Sequence, residues 1–337
     1  MRRFKLIFIF VLISLCFQTA NANWAKQKSN TLAWLRAGFF VNEKNGFIGG
    51  GNGSFLTTND GGASWKQAEK FTSDTIRQIY FKDENNGWLL CERDVYSLGT
   101  NSPSYFLKTS NGGADWERIE FANGVRVRIA GIFFSDNAGF AVGESGAIFV
   151  LQPDEKTWKK QPSPIRNLLL GGTFADKMNG VIVSAGGNIF FTDDGGMKWN
   201  QANISGAPTV KINSVFFVNK TTGWTTGAEG KIFQTVSSGK NWREQKTDTN
   251  ANLSDVYFRD TREGWAIGDE GTILHSTTAG NVWAKDDQKI RHKLEKLFSN
   301  GKDVFAVGFG GTILRYDLTN QNKTAKTVAP VLIKKVR

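Results

Sequence analysis

The chain alternates between short apolar stretches and polar turns along most of its length. The stretches hold four to six residues rich in β-branched and aromatic side chains, as in residues 231–235, and the turns are rich in Gly, Asn and Asp. Four such stretches recur roughly every 42 residues. Apolar residues do not follow the 3.6-residue spacing that a helical repeat needs. The pattern therefore predicts an all-β fold built from repeated four-stranded units.

A tryptophan at the end of a glycine-rich turn marks each repeat. It occurs in six complete units, as Trp65, Trp116, Trp158, Trp199, Trp242 and Trp283. A seventh unit begins at Leu294 and ends without its tryptophan, whereas Trp24 stands 41 residues before Trp65. The sequence thus predicts a seven-bladed β-propeller whose last blade is closed by the N-terminal strand, which leaves no large sheet edge unpaired.

The turn before the tryptophan carries its own motif, S/T-x-D-x-G-x-x-W. Asp60 and Asp194 occupy the acidic position, and Asn111 replaces the acid in the second unit. This motif resembles the Asp-box of sialidase-like propellers. An Asp side chain can accept N–H groups of its own turn, and the glycines permit positive φ. We expect a structural role, because repetition around a ring suits architecture; metal binding or acid catalysis is the alternative.

The two ends of the chain differ from the repeats. Residues 1–22 combine a basic start, an apolar run and an A-x-A site, which predicts a secretory signal cleaved after Ala22, with an anchor helix as the alternative. The expected location is the periplasm or another exported compartment. Leu15 before Cys16 argues against a lipoprotein. Cleavage leaves Cys91 as the only thiol, so no intramolecular disulfide is expected.

Charge is concentrated at the same two ends. The full chain carries +11, but three of these charges lie in the signal and five in a basic tail, residues 320–337. The propeller, residues 23–319, is therefore only modestly basic, and we expect no nucleic-acid partner. The tail is either a solvated extension or a contact with an anionic membrane surface. A monomer is expected.

Candidate catalytic chemistry is sparse. An Arg-Ile-Pro motif, expected of a sialidase, is absent from the sequence, and Tyr80 and Tyr257 occupy positions held elsewhere by core phenylalanines. Two histidines, His275 and His292, do not make a usual zinc site, so neither a metal nor a cofactor is expected. We predict a non-enzymatic protein; a carbohydrate-binding or glycoside hydrolase propeller of the sialidase-like type is the alternative.

From Trp24 to about Leu318, the seven units with their Gly-Trp, Gly-x-Ile-Phe and Thr-x-Asp-Gly-Gly-x-x-Trp elements resemble the photosystem II stability/assembly factor family. The resemblance implies a seven-bladed propeller that works as an exported assembly chaperone. Such a protein holds an incompletely assembled membrane protein by its outward-facing segments. The function expected is a protein-binding scaffold or stability factor for a membrane protein or complex.

One face of the ring carries the candidate binding residues. The second blade has ten extra residues near Glu92, Arg93 and Tyr96, in a loop on the same side as the connections between blades. These connections supply basic side chains before the innermost strands: Arg77, Arg126, Arg128, Arg166, Lys211 and Arg291. Such a rim can bind an acidic segment of an exported or membrane protein. The alternative is solvated charge balanced by Asp74, Asp248 and Asp255.

Within this rim, Arg126 and Arg128 are the leading pair of candidates. They alternate along one strand entry, so we expect both side chains to point the same way.

Overall fold

The computed structural model describes residues 24–318 except 95, 97–98, 100, 122–124, 137, 207–208 and 287. The expected signal segment 1–22 and the basic tail 320–337 lie outside the described residues, as do residues 23 and 319. Among the described residues, no helix has the length and apolar character needed to span a bilayer.

Seven sheets form the described part of the chain, antiparallel apart from one added strand in blade five, and each sheet is one blade. The strand that closes the ring is β1 (Trp24–Lys26). The strands of the first three blades are β2 (Leu35–Phe40), β3 (Gly46–Gly50), β4 (Phe55–Thr58) and β5 (Lys66–Gln67); β6 (Thr75–Phe81), β7 (Gly87–Glu92), β8 (Ser104–Thr109) and β9 (Glu117–Ile119); and β10 (Ile129–Phe134), β11 (Gly139–Gly143), β12 (Ile148–Leu151) and β13 (Trp158–Gln161).

The strands of the remaining blades are given in chain order, which runs from the innermost strand outward except for β18, an added strand at the outer edge of blade five. Their strands are β14 (Leu169–Phe174), β15 (Gly180–Ser184), β16 (Ile189–Thr192) and β17 (Asn200–Gln201); β18 (Asn203–Ile204), β19 (Ile212–Phe217), β20 (Gly223–Gly227), β21 (Ile232–Thr235) and β22 (Asn241–Gln245); β23 (Leu253–Phe258), β24 (Gly264–Gly268), β25 (Ile273–Ser276) and β26 (Ala284–Lys285); and β27 (Leu294–Ser299), β28 (Asp303–Gly308) and β29 (Ile313–Asp317). The predicted all-β, seven-bladed propeller is confirmed.

The N-terminal strand completes the last blade, as the tryptophan register predicts. β1 pairs antiparallel with β29, and Trp24 lies opposite Tyr316. The two rings meet edge to face at 5.2 Å, and Trp24 is buried. The ring therefore closes through a pairing between the two ends of the described chain, and the outer edge of β29 is covered.

The core lies between neighbouring blades. One cluster joins Leu35 and Trp65 of blade one to Phe298 and Phe305 of blade seven, and related clusters follow around the ring. The Trp65 and Phe305 rings are 6.0 Å apart and nearly perpendicular. Each blade thus buries its aromatic residues against the next one, so the sheets stabilise one another only as a ring.

Blade five has one strand more than the four that the repeat predicts. β18 comes from the connection after blade four and runs parallel to β22 along the outer edge of that sheet. The main-chain N–H of Asn203 donates to the Lys240 carbonyl and that of Ser205 to the Trp242 carbonyl, both at 2.9 Å. The extra strand covers an edge that the repeat would leave open.

The two faces of the ring are built from different connections. Turns between second and third strands contact the connections between blades, as where Gly51 N–H donates to the Trp34 carbonyl at 2.9 Å. Turns between third and fourth strands contact the loops between first and second strands, as where Gly61 N–H donates to the Lys44 carbonyl. Because strands alternate in direction, these two sets of turns lie on opposite faces.

Candidate functional site

Every innermost strand has a β-bulge near its start. In blade one, Leu35 pairs with Gly50 and Ala37 with Gly49, so Arg36 between them has no partner in the ladder. The same shift occurs in the six other innermost strands. The seven bulged residues are Arg36, Arg77, Ala130, Leu170, Asn213, Ser254 and Glu295. A bulge bends its strand and re-aims one side chain.

All seven bulged residues line one cavity of about 370 Å³ at the centre of the ring, which we call the channel cavity. Its charged lining residues are Arg36, Arg77, Lys211, Lys293 and Lys296, against Asp255 and Glu295. The cavity therefore has a net charge of +3 among its lining side chains. A concave site lined by one sign of charge concentrates its field and attracts ligands of the opposite sign.

Several of these cations already have a carboxylate. Lys296 Nζ lies 2.9 Å from Asp255, and an oxygen of Glu295 lies 3.5 Å from Arg36 and 3.7 Å from Lys293. Asp255 is itself buried. Lys293 also lies 3.5 Å from Asp269, which is outside the lining, so each of these three cations has at least one carboxylate within 4.0 Å.

Lys211 has no such partner. No carboxylate of the described residues lies within 4.0 Å of its ammonium group, and the residue is exposed where it lines the cavity. Burial lowers the pKa of Lys211, and the nearby charges of Lys293 and Arg77 lower it further. Burial and the Arg77 charge likewise lower the pKa of Arg36. An anion in the cavity would relieve this repulsion and favour the charged forms.

An aromatic group stands beside the cations. The guanidinium carbon of Arg36 lies 3.8 Å from the centroid of the Trp34 ring, and Lys293 Nζ lies 6.0 Å from it. Phe309 meets Trp34 edge to face at 5.6 Å and is 46% exposed, and Leu32 nearby in sequence is exposed as well. The mouth of the channel cavity therefore presents apolar surface next to positive charge, a combination that suits a peptide.

The predicted rim residues fall into three groups. Arg77 and Lys211 line the channel cavity. Arg128 is linked to the cavity through Glu92, whose carboxylate pairs with Arg128 and, at 2.9 Å, with Arg77. Arg166 and Arg291 are exposed and lie outside the cavity lining.

The blade-two loop, residues 93–103, connects β7 to β8 where the sequence predicts the insertion. Tyr96 is 97% exposed on it, and Arg126 donates to the carbonyl of Gly99 at 3.3 Å. Arg93, expected on the rim, is instead buried: its guanidinium donates to the Ser102 carbonyl and pairs with Glu120. Arg93 therefore anchors the loop, and its charge is used internally.

The arginines at 126 and 128 do not act as one pair in the structure. Both precede β10, and Arg128 contacts Glu92 and Glu144, whereas Arg126 contacts the blade-two loop. Two side chains separated by one residue point the same way only within a regular strand. β10 begins at Ile129, so positions 126 and 128 lie before it and the expectation does not apply to them.

Sequence reasoning missed most of the lining, including its aromatic residue Trp34 and the charged residues Arg36, Lys293, Glu295 and Lys296. A usable signal was the position directly after the buried Leu or Ile near the start of each innermost strand. Aligning the seven strands at that position brings Arg36, Arg77 and Glu295 into one ring.

The Asp-box turns have the hydrogen bonds expected of a structural motif. Asp60 Oδ1 accepts the Ser64 N–H at 3.0 Å and the Thr58 hydroxyl at 2.7 Å. Partial burial opposes ionisation, but hydrogen bonds from Ser64 and Thr58 lower the pKa of Asp60 to about 2. Gly61 and Gly62 both have positive φ. The carboxylate is therefore committed to its own turn.

The other copies repeat this geometry with different acceptors. Asp194 Oδ1 accepts the Lys198 N–H, and Asn111 Oδ1 accepts the Asp115 N–H, both at 3.0 Å. In blade five the acid is replaced by Ser237, whose hydroxyl accepts the N–H of Asn241 at 3.0 Å. The turn thus needs an acceptor at this position and not a negative charge.

The tyrosines considered for catalysis pack against other rings. Tyr80 stacks on Phe134 with centroids 4.0 Å apart, and Tyr257 lies 5.1 Å from Phe216. Burial raises the pKa of both phenols. Within the described ranges, no group of three or more His, Cys, Asp or Glu side chains could hold a metal ion.

These features define a seven-bladed β-propeller whose bulged inner strands line a basic central cavity. A family model described as "Photosynthesis system II assembly factor YCF48" matches residues 150–250, less than a third of the chain. The resemblance inferred from the motifs is thereby confirmed. No curated protein sequence matches the chain at a significant level.

Solved structures show the same fold. A structure described as YCF48 bound to D1 peptide is 21% identical, with a TM-score of 0.71 over 88% of this chain and 95% of that one. YCF48 from Cyanidioschyzon merolae is 18% identical, with a TM-score of 0.71 over 88% and 99%. Virginiamycin B lyase from Staphylococcus aureus is 13% identical, with a TM-score of 0.72 over 88% and 99%. At these identities the structures establish the fold alone.

Proposed function

We propose that this protein is an exported, non-enzymatic propeller that binds an acidic segment of a membrane protein and so supports the assembly or stability of that protein. The observation that carries the proposal is the channel cavity, where five cationic side chains face two carboxylates. Lys211 is the cation in this cavity with most to gain from an added anion, because the four other cations of the lining each have a carboxylate within 4.0 Å and Lys211, within the described residues, has none.

The comparisons support the same kind of function. The matched family model is that of an assembly factor, and a structural neighbour is described as bound to D1 peptide. A peptide that combines acidic and apolar residues would complement both the cations and the exposed rings of Trp34 and Phe309. Export and a monomeric state belong to the same proposal.

Binding of a defined peptide tests the proposal directly. The acidic probe peptide is a fluorescein-labelled decapeptide of alternating Glu and Ala, and its partner control replaces Glu with Lys. Fluorescence anisotropy should show saturable binding of the acidic peptide alone, weakening as salt is raised. Lys211→Glu should weaken this binding about tenfold or more, equivalent to ~1.4 kcal/mol.

A matched variant separates the cavity from general charge. Lys159→Glu makes the same change on β13, an outer strand, where the residue is exposed. It should leave the affinity within about twofold of the unmodified protein. Equal losses in both variants would show non-specific attraction and would contradict a cavity site.

Crosslinking then identifies the class of partner. A photoreactive amino acid at Asn252, which lines the channel cavity, should capture a membrane protein in the native compartment, whereas the same group at Lys66 should not. Capture of glycans in place of protein, together with glycan hydrolysis by the purified chain, would instead support the carbohydrate-active alternative.

A further inference from the structure

A second cavity lies between blades one and two, on the face opposite the channel mouth. Its volume is about 270 Å³. Asn45 lies in the loop between β2 and β3, and Asn59 lies in the turn after β4, which places the cavity on this face. The lining combines the apolar side chains of Val41 and Phe47 with the polar side chains of Asn45, Thr57, Asn59 and Lys66. We call this cavity the blade 1–2 pocket.

The turn of blade two does not pack closely on blade one beside this pocket. In blades one, four and five the second glycine of the turn makes a close fit with the preceding blade; a Cβ added at Gly196, for example, would lie 2.4 Å from Phe140. A Cβ added at Gly113 of blade two would lie 3.7 Å from Phe47. Trp116, which ends this turn, is half-buried, whereas the tryptophans of the five other complete units are buried. The blade-two turn therefore leaves space beside Phe47.

Blade one also has a short side chain where blades two and six cover the ring of their second strand. Thr57 lies opposite Phe47 in the ladder between β3 and β4. The equivalent residue in blade two is Lys108, whose Nζ lies 5.6 Å from the centroid of the Trp88 ring. In blade six it is His275, which stacks on the indole opposite it at 4.9 Å. Thr57 is too short to reach over Phe47 in this way, so the pocket results from a looser turn together with a smaller side chain.

Four polar side chains of the lining have unused hydrogen-bonding capacity. The amides of Asn45 and Asn59 and the hydroxyl of Thr57 have no hydrogen-bond partner among the residues that the structure describes. Lys66 lies beside Thr57 on β5, and its ammonium group has no carboxylate within 4.0 Å among the same residues. An amide and a hydroxyl each offer a donor and an acceptor, whereas an ammonium group offers donors only. The pocket can therefore donate hydrogen bonds to a ligand and accept them from it.

The charge of the pocket is balanced. Among its described lining residues, Lys66 is the one cation and Glu84 the one carboxylate, in contrast to the net charge of +3 in the channel cavity. The side-chain amide of Asn42 holds Glu84 at the junction by donating to its Oε1 at 2.7 Å. Most glycoside hydrolases use two carboxyl groups, so a single carboxylate favours binding over cleavage of a glycoside.

We propose that the blade 1–2 pocket binds one neutral sugar ring without cleaving it. Each sugar hydroxyl donates and accepts a hydrogen bond, which matches the amides of Asn45 and Asn59 and the hydroxyl of Thr57. The C–H groups of the ring pack against Val41 and Phe47. A lining without net charge gives no advantage to an anion, unlike that of the channel cavity. The two sites lie on opposite faces, and sugar binding does not depend on the function proposed for the channel cavity.

Neutral methyl glycosides are the probes for this site. Methyl glucopyranoside, galactopyranoside and mannopyranoside are suitable, because galactose and mannose each differ from glucose in the direction of one hydroxyl group. In 15N-resolved spectra, the side-chain amide resonances of Asn45 and Asn59, assigned with Asn45→Ala and Asn59→Ala, should shift saturably with at least one of the three. The expected dissociation constant is on the order of 1 mM. Glycerol, which has hydroxyl groups but no ring, should give no saturable shift at the same concentrations.

Thr57→Lys tests the pocket with the residue that blade two uses at the same position. The longer side chain should cover Phe47, as Lys108 covers Trp88, and weaken glycoside binding about tenfold or more. Thr277→Lys makes the same change at an exposed position in the turn of blade six and should leave the affinity within about twofold of the unmodified protein. Asn59→Ala removes hydrogen bonds without filling space and should weaken binding about threefold to tenfold, with Asn45 as the reporter.

Lys211→Glu separates this test from that of the channel cavity, because it should weaken binding of the acidic probe peptide and leave glycoside binding unchanged. Three results would each overturn the proposal. They are the absence of saturable shifts with all three glycosides, an equal response to glycerol, and equal losses of affinity in Thr57→Lys and Thr277→Lys.

Discussion

The guanidinium of Arg36 lies over the indole of Trp34, with 3.8 Å between its central carbon and the ring centroid. Arg36 lies in the β-bulge of β2 and has no paired residue on β3, and this contact holds its side chain at the mouth of the channel cavity. Trp34→Ala should therefore weaken binding of the acidic probe peptide about threefold to tenfold, since cation–π contacts contribute roughly 0.5 to 2 kcal/mol. Anisotropy titration measures this, with Leu32→Ala as the control that removes a neighbouring exposed apolar group. Equal affinity for Trp34→Ala and the unmodified protein would contradict the role of the ring.

Glu295 competes with any incoming carboxylate, because it already pairs with Arg36 and Lys293. Glu295→Gln keeps the shape of the side chain and raises the net charge of the cavity lining by one. The acidic probe peptide should bind about threefold to tenfold more tightly to this variant, and the gain should shrink at high salt. Glu244→Gln, which removes an exposed carboxylate on β22, provides the matched control. A weaker interaction in Glu295→Gln would show that Glu295 orients the cations and does not compete with the ligand.

Asp60 should make a pH-dependent contribution to stability. Its pKa is lowered to about 2 in the folded protein from an ordinary value of 3.8, so the stabilisation is present above pH 4 and disappears as the pH falls through 2. Asp60→Asn retains an acceptor oxygen, as Asn111 does in blade two, and should therefore differ from the unmodified protein at pH 7 but not at pH 2. Urea denaturation at several pH values gives the comparison, with the exposed Asp248→Asn as control. A difference that persists at pH 2 would point to lost geometry and not to charge.

The number of blades and the closure of the ring could be predicted because one tryptophan per unit fills the same space between blades. Trp24 is recognisable 41 residues before Trp65 even though its strand belongs to the last blade. The blade-two loop was likewise visible as extra length. The tryptophan register and the length of each unit can be read directly from the sequence because the same structural unit recurs around the ring.

The lining of the channel cavity could not be predicted in the same way. Strict alternation would put Leu35 and Ala37 on the same face of β2, but the bulge sends Leu35 to the core shared with blade seven and Ala37 to the core shared with blade two. Arg36 between them consequently points to the ring centre. The order of apolar and polar residues in a bulged strand is the same as in a regular strand. The sequence analysis therefore identified only Arg77 and Lys211 among the five basic residues that line the cavity.

Closure by β1 should be measurable through Trp24. Its ring is buried against Tyr316, and Trp24→Ala should cost about 3 to 5 kcal/mol of folding free energy. Because β1 is held on blade seven only by strand pairing and side-chain packing, with no hairpin joining it to β29, hydrogen exchange should accelerate most in β29 and β28. Trp283→Ala removes the equivalent tryptophan from blade six, where a hairpin holds the strand covalently, and should accelerate exchange mainly in β25 and β24. Identical exchange patterns in the two variants would contradict a special role for the terminal strand.

Reversing the charge at positions 126 and 128 separately tests how the rim is linked to the cavity. Glu92 pairs with both Arg128 and Arg77, and Arg128 also pairs with Glu144. Arg128→Glu therefore brings three carboxylates close together, at positions 92, 128 and 144. Arg77 should move out of the cavity towards these carboxylates, because its positive charge reduces their repulsion. We expect the acidic probe peptide to bind about tenfold more weakly to Arg128→Glu, whereas Arg126→Glu, which alters only an exposed contact with Gly99, should change the affinity less than threefold. Arg128→Gln distinguishes repulsion from simple loss of the pair, because it frees Glu92 without adding a charge and should fall between the other two. If Arg126→Glu weakens binding as much as Arg128→Glu, the peptide contacts the exposed rim itself, and the coupling through Glu92 is not needed.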